Sequence, residues 1–130
     1  MKLVVSDTSP IRALNHLNLL DFLGVIFSQV LVPPAVLAEL ENPRASFEPV
    51  DIRRFNFIEI APAENEELIQ SFLGELQRGE SEAIALAVER QAVLLIDEAA
   101  GRAVASRVGL HRIGVLGVLV EARKQNRITE

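Results

Sequence analysis

The sequence predicts an α/β fold with a mainly parallel sheet covered by helices on both faces. Apolar runs of four to eight residues, LVVS, VIFSQVLV, FIEI and AVLLI, read as strands buried on both faces. Helical patterns separate them, so each connection is a crossover, and crossovers join parallel strands. Two of the runs also stop at an aspartate immediately before a helix. At 130 residues, with no internal repeat, low-complexity tract or linker, the chain is expected to form one domain over 1–130, a three-layer α/β/α arrangement.

The elements follow in order. Residues 2–6 form the first strand. Ser9 is a good N-cap and Pro10 a good first helical residue, so a helix is expected from Pro10 to Leu23, interrupted near Asn18. Residues 25–32 form the second strand, Pro33 and Pro34 end it, and AVLAELE follows as a helix beginning at Pro34. NPRASFEP reads as a loop that leads through a short irregular piece to a strand at 57–60. Helices are expected at 64–74 and 80–90, with their joint in GELQRG. AVLLI at 92–96 is the next strand, followed by an alanine-rich helix to Val108. GLHRIG makes a very short strand or turn, and VLGVLVEARKQ closes the chain as a helix. Its apolar residues, Val115, Leu116, Val118, Leu119, Val120 and Ala122, cover more than one face, which suits burial in the monomer or against a second subunit.

Bulk properties narrow the function. The chain is 49% hydrophobic, yet no run approaches the ~18 consecutive apolar residues of a membrane span. No secretory h-region follows the N-terminus, and a cytoplasmic location is the default expectation. Without cysteine there is no disulfide framework, thiolate catalysis or Cys-type zinc site, and His16 and His111 are too isolated to suggest a zinc pair. A formal charge of −5 argues against a surface that coats nucleic acid, although it leaves room for an enzyme that holds phosphate through a metal. With six phenylalanines and neither tryptophan nor tyrosine, a base-stacking platform is not expected.

Four acids stand out against this background. Asp7 and Asp97 end apolar runs, and in a parallel sheet both project from the edge where ligands bind. N-capping is the bland role for each. Glu80 lies on the apolar stripe of its helix with Ala83, Ile84, Ala87 and Val88, so it points inward, whereas Glu82 lies on the opposite side. An inward acid is costly unless paired or bound to metal. Glu39 and Glu41 flank the buried face of their helix at similar angles, and periodicity does not choose between them. Carboxylates converging at a sheet edge repel one another unless a cation neutralises them. A hard divalent ion, Mg²⁺ or Mn²⁺, takes oxygen ligands and binds phosphate alongside carboxylates. Metal-dependent phosphodiester hydrolysis is the chemistry such a set supports.

From VVSDTSP through VPPAVLAELE and GESEAIALA to LLIDEAAGRAVA and GVLGVLVEA, the chain resembles the PIN domain family, and within it the VapC type of toxin ribonuclease. By that resemblance the first family acid is Asp7, with the hydroxyl of Thr8 or Ser9 beside it. The second is Glu39, and Glu80 stands where the family commonly has aspartate before an Ile-Ala-Ala segment. The fourth is Asp97; because the family often reads Thr, any residue, Asp where this chain has Ile96, Asp97 and Glu98, Glu98 shares or takes that role. The resemblance implies a Mg²⁺- or Mn²⁺-dependent endoribonuclease in which Asp7, Glu80 and Asp97 bind metal and Glu39 ligates or orients a second ion or water. It also implies a homodimer, a cognate antitoxin protein and structured RNA substrates such as tRNA or rRNA.

Arg12, on the helix after Asp7, and Arg102 and Arg107, after Asp97, are placed to line a phosphate path. Two other classes stay open. One is a non-catalytic PIN-fold scaffold for RNA or protein. The other is phosphotransfer through an aspartyl-phosphate, which fits poorly because Ser9 stands where a dehalogenase-like second aspartate belongs and Lys124 lies inside the last helix.

Overall fold

The computed structural model describes residues 2–42 and 48–125. Five strands, β1 (Lys2–Ser6), β2 (Phe27–Val32), β3 (Ile58–Ile60), β4 (Val93–Leu95) and β5 (Arg112–Ile113), form one sheet in the order β3-β2-β1-β4-β5. Every neighbouring pair is parallel. The helices are α1 (Thr8–His16), α2 (Leu23–Ile26), α3 (Pro34–Glu41), α4 (Glu66–Phe72), α5 (Arg78–Arg90), α6 (Ala99–Arg107) and α7 (Val115–Lys124). The expected α/β class with a parallel sheet is what the chain adopts.

Strand alternation divides the core in two. Val4, Val30, Val32 and Leu95 face one side, where they meet Ile11 and Leu14 of α1, Val36 and Leu40 of α3, and Val118 and Ala122 of α7. Val5, Leu31, Leu94 and Ile96 face the other and pack on Ile69 and Phe72 of α4, Ile84 and Leu86 of α5, and Val104 of α6. Successive residues of one strand thus enter different cores, which is why these strands carry unbroken apolar runs rather than an alternating pattern.

Several boundaries differ from expectation for identifiable reasons. Asp7, not Ser9, holds the N-cap position of α1, with φ −79° and ψ 175°. Pro10 therefore sits third in the helix, a place it tolerates because the first four N–H groups have no intrahelical partner anyway. The helix ends at Leu17, and Asn18 takes a left-handed backbone with φ 57°. A 3-10 turn over Leu20–Phe22 and the short α2 follow, so Val25 and Ile26 belong to a helix and β2 starts at Phe27. An apolar run that short has no period by which strand and helix can be told apart. The loop expected at NPRASFEP lies largely outside the described residues, at 43–47.

The largest departure concerns Glu82. Expected on the side of α5 away from the core, it is only 8% exposed. α5 is packed on more than one side, with Gly79, Ser81 and Glu82 buried as well as the Ala83–Ile84 stripe. The Glu82 carboxylate accepts the Ala35 N–H at 3.1 Å and binds Arg78 Nε at 2.6 Å. Pro33, at the N-cap of α3, has no side-chain acceptor to offer, and Glu82 supplies one from the neighbouring helix.

Candidate metal centre

Chain order alone puts the site where it is. From β1 the chain moves outward through β2 to β3, then returns to the other side of β1 for β4 and β5. The order reverses between β1 and β4, and in open parallel sheets the crevice beyond the strand ends at such a point is the ligand site. Asp7 is the first residue after β1, held there by its N–H bond to the Leu95 carbonyl at 3.1 Å. Asp97 and Glu98 follow β4, and α3 and α5 bring Glu39 and Glu80.

Asp7, Glu80 and Glu98 each offer a carboxylate oxygen, and these oxygens lie within 4.8 Å of one another, a grouping that can hold a metal ion. Asp7 is only 3% exposed, Glu80 is half-buried, and Glu98 opens the group to solvent. Burial pushes the Asp7 carboxyl up to about 7; the Thr8 backbone N–H opposes this, and the charges of Glu80, Glu39 and Glu98 add to it. Glu80 is raised too, first by burial and then by the neighbouring Glu98, while the Gln77 N–H opposes the shift. A cation in the group removes both penalties at once.

Glu80 has two tasks, one for each oxygen. Its Oε1 accepts the Gln77 N–H at 3.2 Å, half of a capping box that starts α5. Its Oε2 is buried and has no hydrogen-bond partner. The other buried side-chain oxygens without a partner among the described residues are those of Thr8, Ser9 and Ser81. All of these atoms lie within two positions of Asp7 or Glu80. Unsatisfied buried polar atoms are costly and uncommon, and their concentration here fits a site that an ion and its waters complete. By donor chemistry, an all-oxygen set of this kind suits Mg²⁺ or Mn²⁺.

Of the pair that periodicity left open, Glu39 faces the group and Glu41 does not. The Glu39 carboxylate lies against the backbone of Gly79, where any side chain would collide with it, and its charge is felt by both Asp7 and Glu80. Glu41 makes an exposed ion pair with Arg53 at 3.7 Å. Asp97 also turns elsewhere: its Oδ1 accepts the Val115 N–H at 3.0 Å, at the first residue of α7.

Among the arginines, Arg12 bonds the backbone carbonyls of Glu39 (2.6 Å) and Glu48 (3.1 Å), so it braces the segment that carries Glu39. Arg107 pairs with Glu75 on the surface. Arg102 is exposed one helical turn beyond Glu98, with its N–H on the Glu98 carbonyl. Gln77, Gly79 and Ser81 were not singled out from sequence. The available signal was the Gly-Glu step opening a helix, with a glycine that no local turn requires.

A parallel α/β sheet with carboxylates gathered at its switch point suits a divalent cation and phosphate chemistry. The family model DUF3368, a PIN domain, matches residues 3–130, and the chain belongs to the PIN domain family. PIN domains are in general metal-dependent nucleases, with divalent ions as cofactors and nucleic acid as substrate. No curated protein matches the sequence.

Proposed function

We propose that the protein is a Mg²⁺- or Mn²⁺-dependent endoribonuclease, the toxin of a toxin–antitoxin pair of the VapC type. The observation that carries this reading is the Asp7 carboxylate, nearly buried and crowded by Glu80 and Glu98 within 4.8 Å. A protein maintaining that arrangement without a cation bears its full electrostatic cost for nothing.

Asp7, Glu80 and Glu98 hold the ion, and Glu39 orients water or a second ion from the α3 side. A divalent ion in such a site polarises a phosphoryl oxygen and lowers the pKa of water. The protein's own part is positional. Gln77 fixes one oxygen of Glu80 so that the other faces the group, Gly79 lets Glu39 approach, and Arg12 anchors the Glu39 backbone. The hydroxyls of Thr8 and Ser9 are available to water or a substrate oxygen, and Arg102 stands at the exposed side, where the RNA backbone enters.

The test is cleavage of a total-RNA pool by purified protein in Mg²⁺ or Mn²⁺, beside EDTA and beside Asp7→Asn. Metal-dependent fragments that vanish in the variant are the expected result. Absence of cleavage together with absence of any Mn²⁺-dependent rise in melting temperature would leave the scaffold class standing instead.

A further inference from the structure

We infer that Asp97 is a positioning residue for Glu98 and not a metal ligand. The inference rests on the metal reading above and concerns which residue after β4 enters the site. Among the described residues, three helix starts draw an acceptor from an acid elsewhere in the chain. Glu82 serves α3, Glu89 serves α4 through the Glu64 and Asn65 N–H groups, and Asp97 serves α7 through Val115. Gly114, at the N-cap of α7, has no side chain to cap with, and its backbone lies so close to the Asp97 carboxylate that a Cβ there would strike Oδ1. Directly before this contact, the Ile96 N–H bonds the Ile113 carbonyl at 3.0 Å. Ile96 and Asp97, successive in one segment, are therefore hydrogen-bonded to Ile113 and Val115, on either side of Gly114, in the other.

The consequence falls on the next residue. Glu98 is the N-cap of α6, with extended φ −71° and ψ 140°, and its carboxylate belongs to the metal group. With the Asp97 side chain latched to α7, the peptide leading into Glu98 has one orientation, and that orientation aims Glu98 at Asp7 and Glu80. The latch needs only an acceptor oxygen, which asparagine also has. A metal ligand in a carboxylate site needs the charge. The two roles therefore respond oppositely to Asp97→Asn.

The experiment is titration of metal-free protein with Mn²⁺, read as the shift in melting temperature and as a dissociation constant by calorimetry. Asp97→Asn should keep the wild-type affinity. Asp97→Ala should weaken it about 10- to 100-fold, the usual range when a group supporting a metal ligand is removed. Gly114→Ala, which drives the carboxylate off α7 without deleting it, should behave like Asp97→Ala, and Glu98→Gln should abolish the response. Loss of Mn²⁺ binding in Asp97→Asn would make Asp97 a ligand and overturn the inference. Unchanged affinity in both Asp97→Ala and Gly114→Ala overturns it as well, leaving a cap that supports only the fold. A wild type that ignores Mn²⁺ sinks the metal reading itself, and this inference with it; the wild-type arm separates that failure from the other two.

Discussion

Asp7 joins local structure to chemistry most directly. It sits at an N-cap position yet makes no side-chain cap bond to its helix, so its carboxylate is left to the crevice. With its pKa moved from 3.8 to about 7, the folded metal-free protein keeps a proton there that the unfolded chain has released. The stability associated with this group is therefore complete below the unfolded value and is lost as pH rises through about 7. Glu80, shifted in the same direction, adds to the trend. The metal-free melting temperature should fall between about pH 4 and pH 7, and Asp7→Asn should flatten that fall. At the upper end the variant should be the more stable protein without metal and the less stable one in saturating Mn²⁺. A thermal scan of both proteins across that range checks it, and a variant less stable than wild type in the metal-free arm at high pH contradicts the assignment.

Among the elements, the acids divide by what they bind. Glu82 and Glu89 spend their charge on the N-termini of neighbouring helices, where N–H groups lack intrahelical partners. Glu80 does part of the same work with one oxygen and keeps the other for the site. Glu82→Ala removes the acceptor for α3 and the buried end of the Arg78 pair, and it should cost about 1–3 kcal/mol. Urea denaturation should show this as a lower midpoint with an unchanged slope. The Mn²⁺ dissociation constant of the same variant should stay at the wild-type value, since the carboxylate points to α3. A large loss of Mn²⁺ affinity would mean that the two sets of acids are not separate.

In the molecule as a whole, sheet order brings segments almost ninety residues apart to one crevice, because β1 and β4 are neighbours only after the chain has crossed β2 and β3. Among the described residues no helix is long and apolar enough to cross a membrane. α7 buries Val118 and Ala122 but leaves Leu116 75% and Val120 48% exposed, one turn apart on the same side. The homodimer that the family resemblance implies would use this ridge. Sedimentation should then give a dimer for the wild type and a monomer for the Leu116→Lys, Val120→Lys double variant. A double variant that remains dimeric places the contact on another face.

What the sequence determined by itself was local. Apolar runs marked the strands because burial on both faces excludes alternation, and an acid ending such a run marked Asp7. The stripe on α5 identified Glu80 because helical period and burial agree there. Periodicity left the choices between neighbouring acids open, and tertiary packing gives each acid a distinct environment. The resemblance favoured Glu39 over Glu41, and in the fold Glu39 lies against Gly79 of another helix while Glu41 pairs with Arg53 at the surface. Asp97 accepts the Val115 N–H, eighteen positions further along, while the Glu98 carboxylate lies with those of Asp7 and Glu80. Glu82 looked like a surface residue because one helix shows only one apolar stripe, while its actual neighbour is the uncapped end of α3. The physical reason is common to all three. Periodicity is a property of one segment, whereas a buried charge goes where a donor or cation can meet it, and packing between distant segments sets where the donors are.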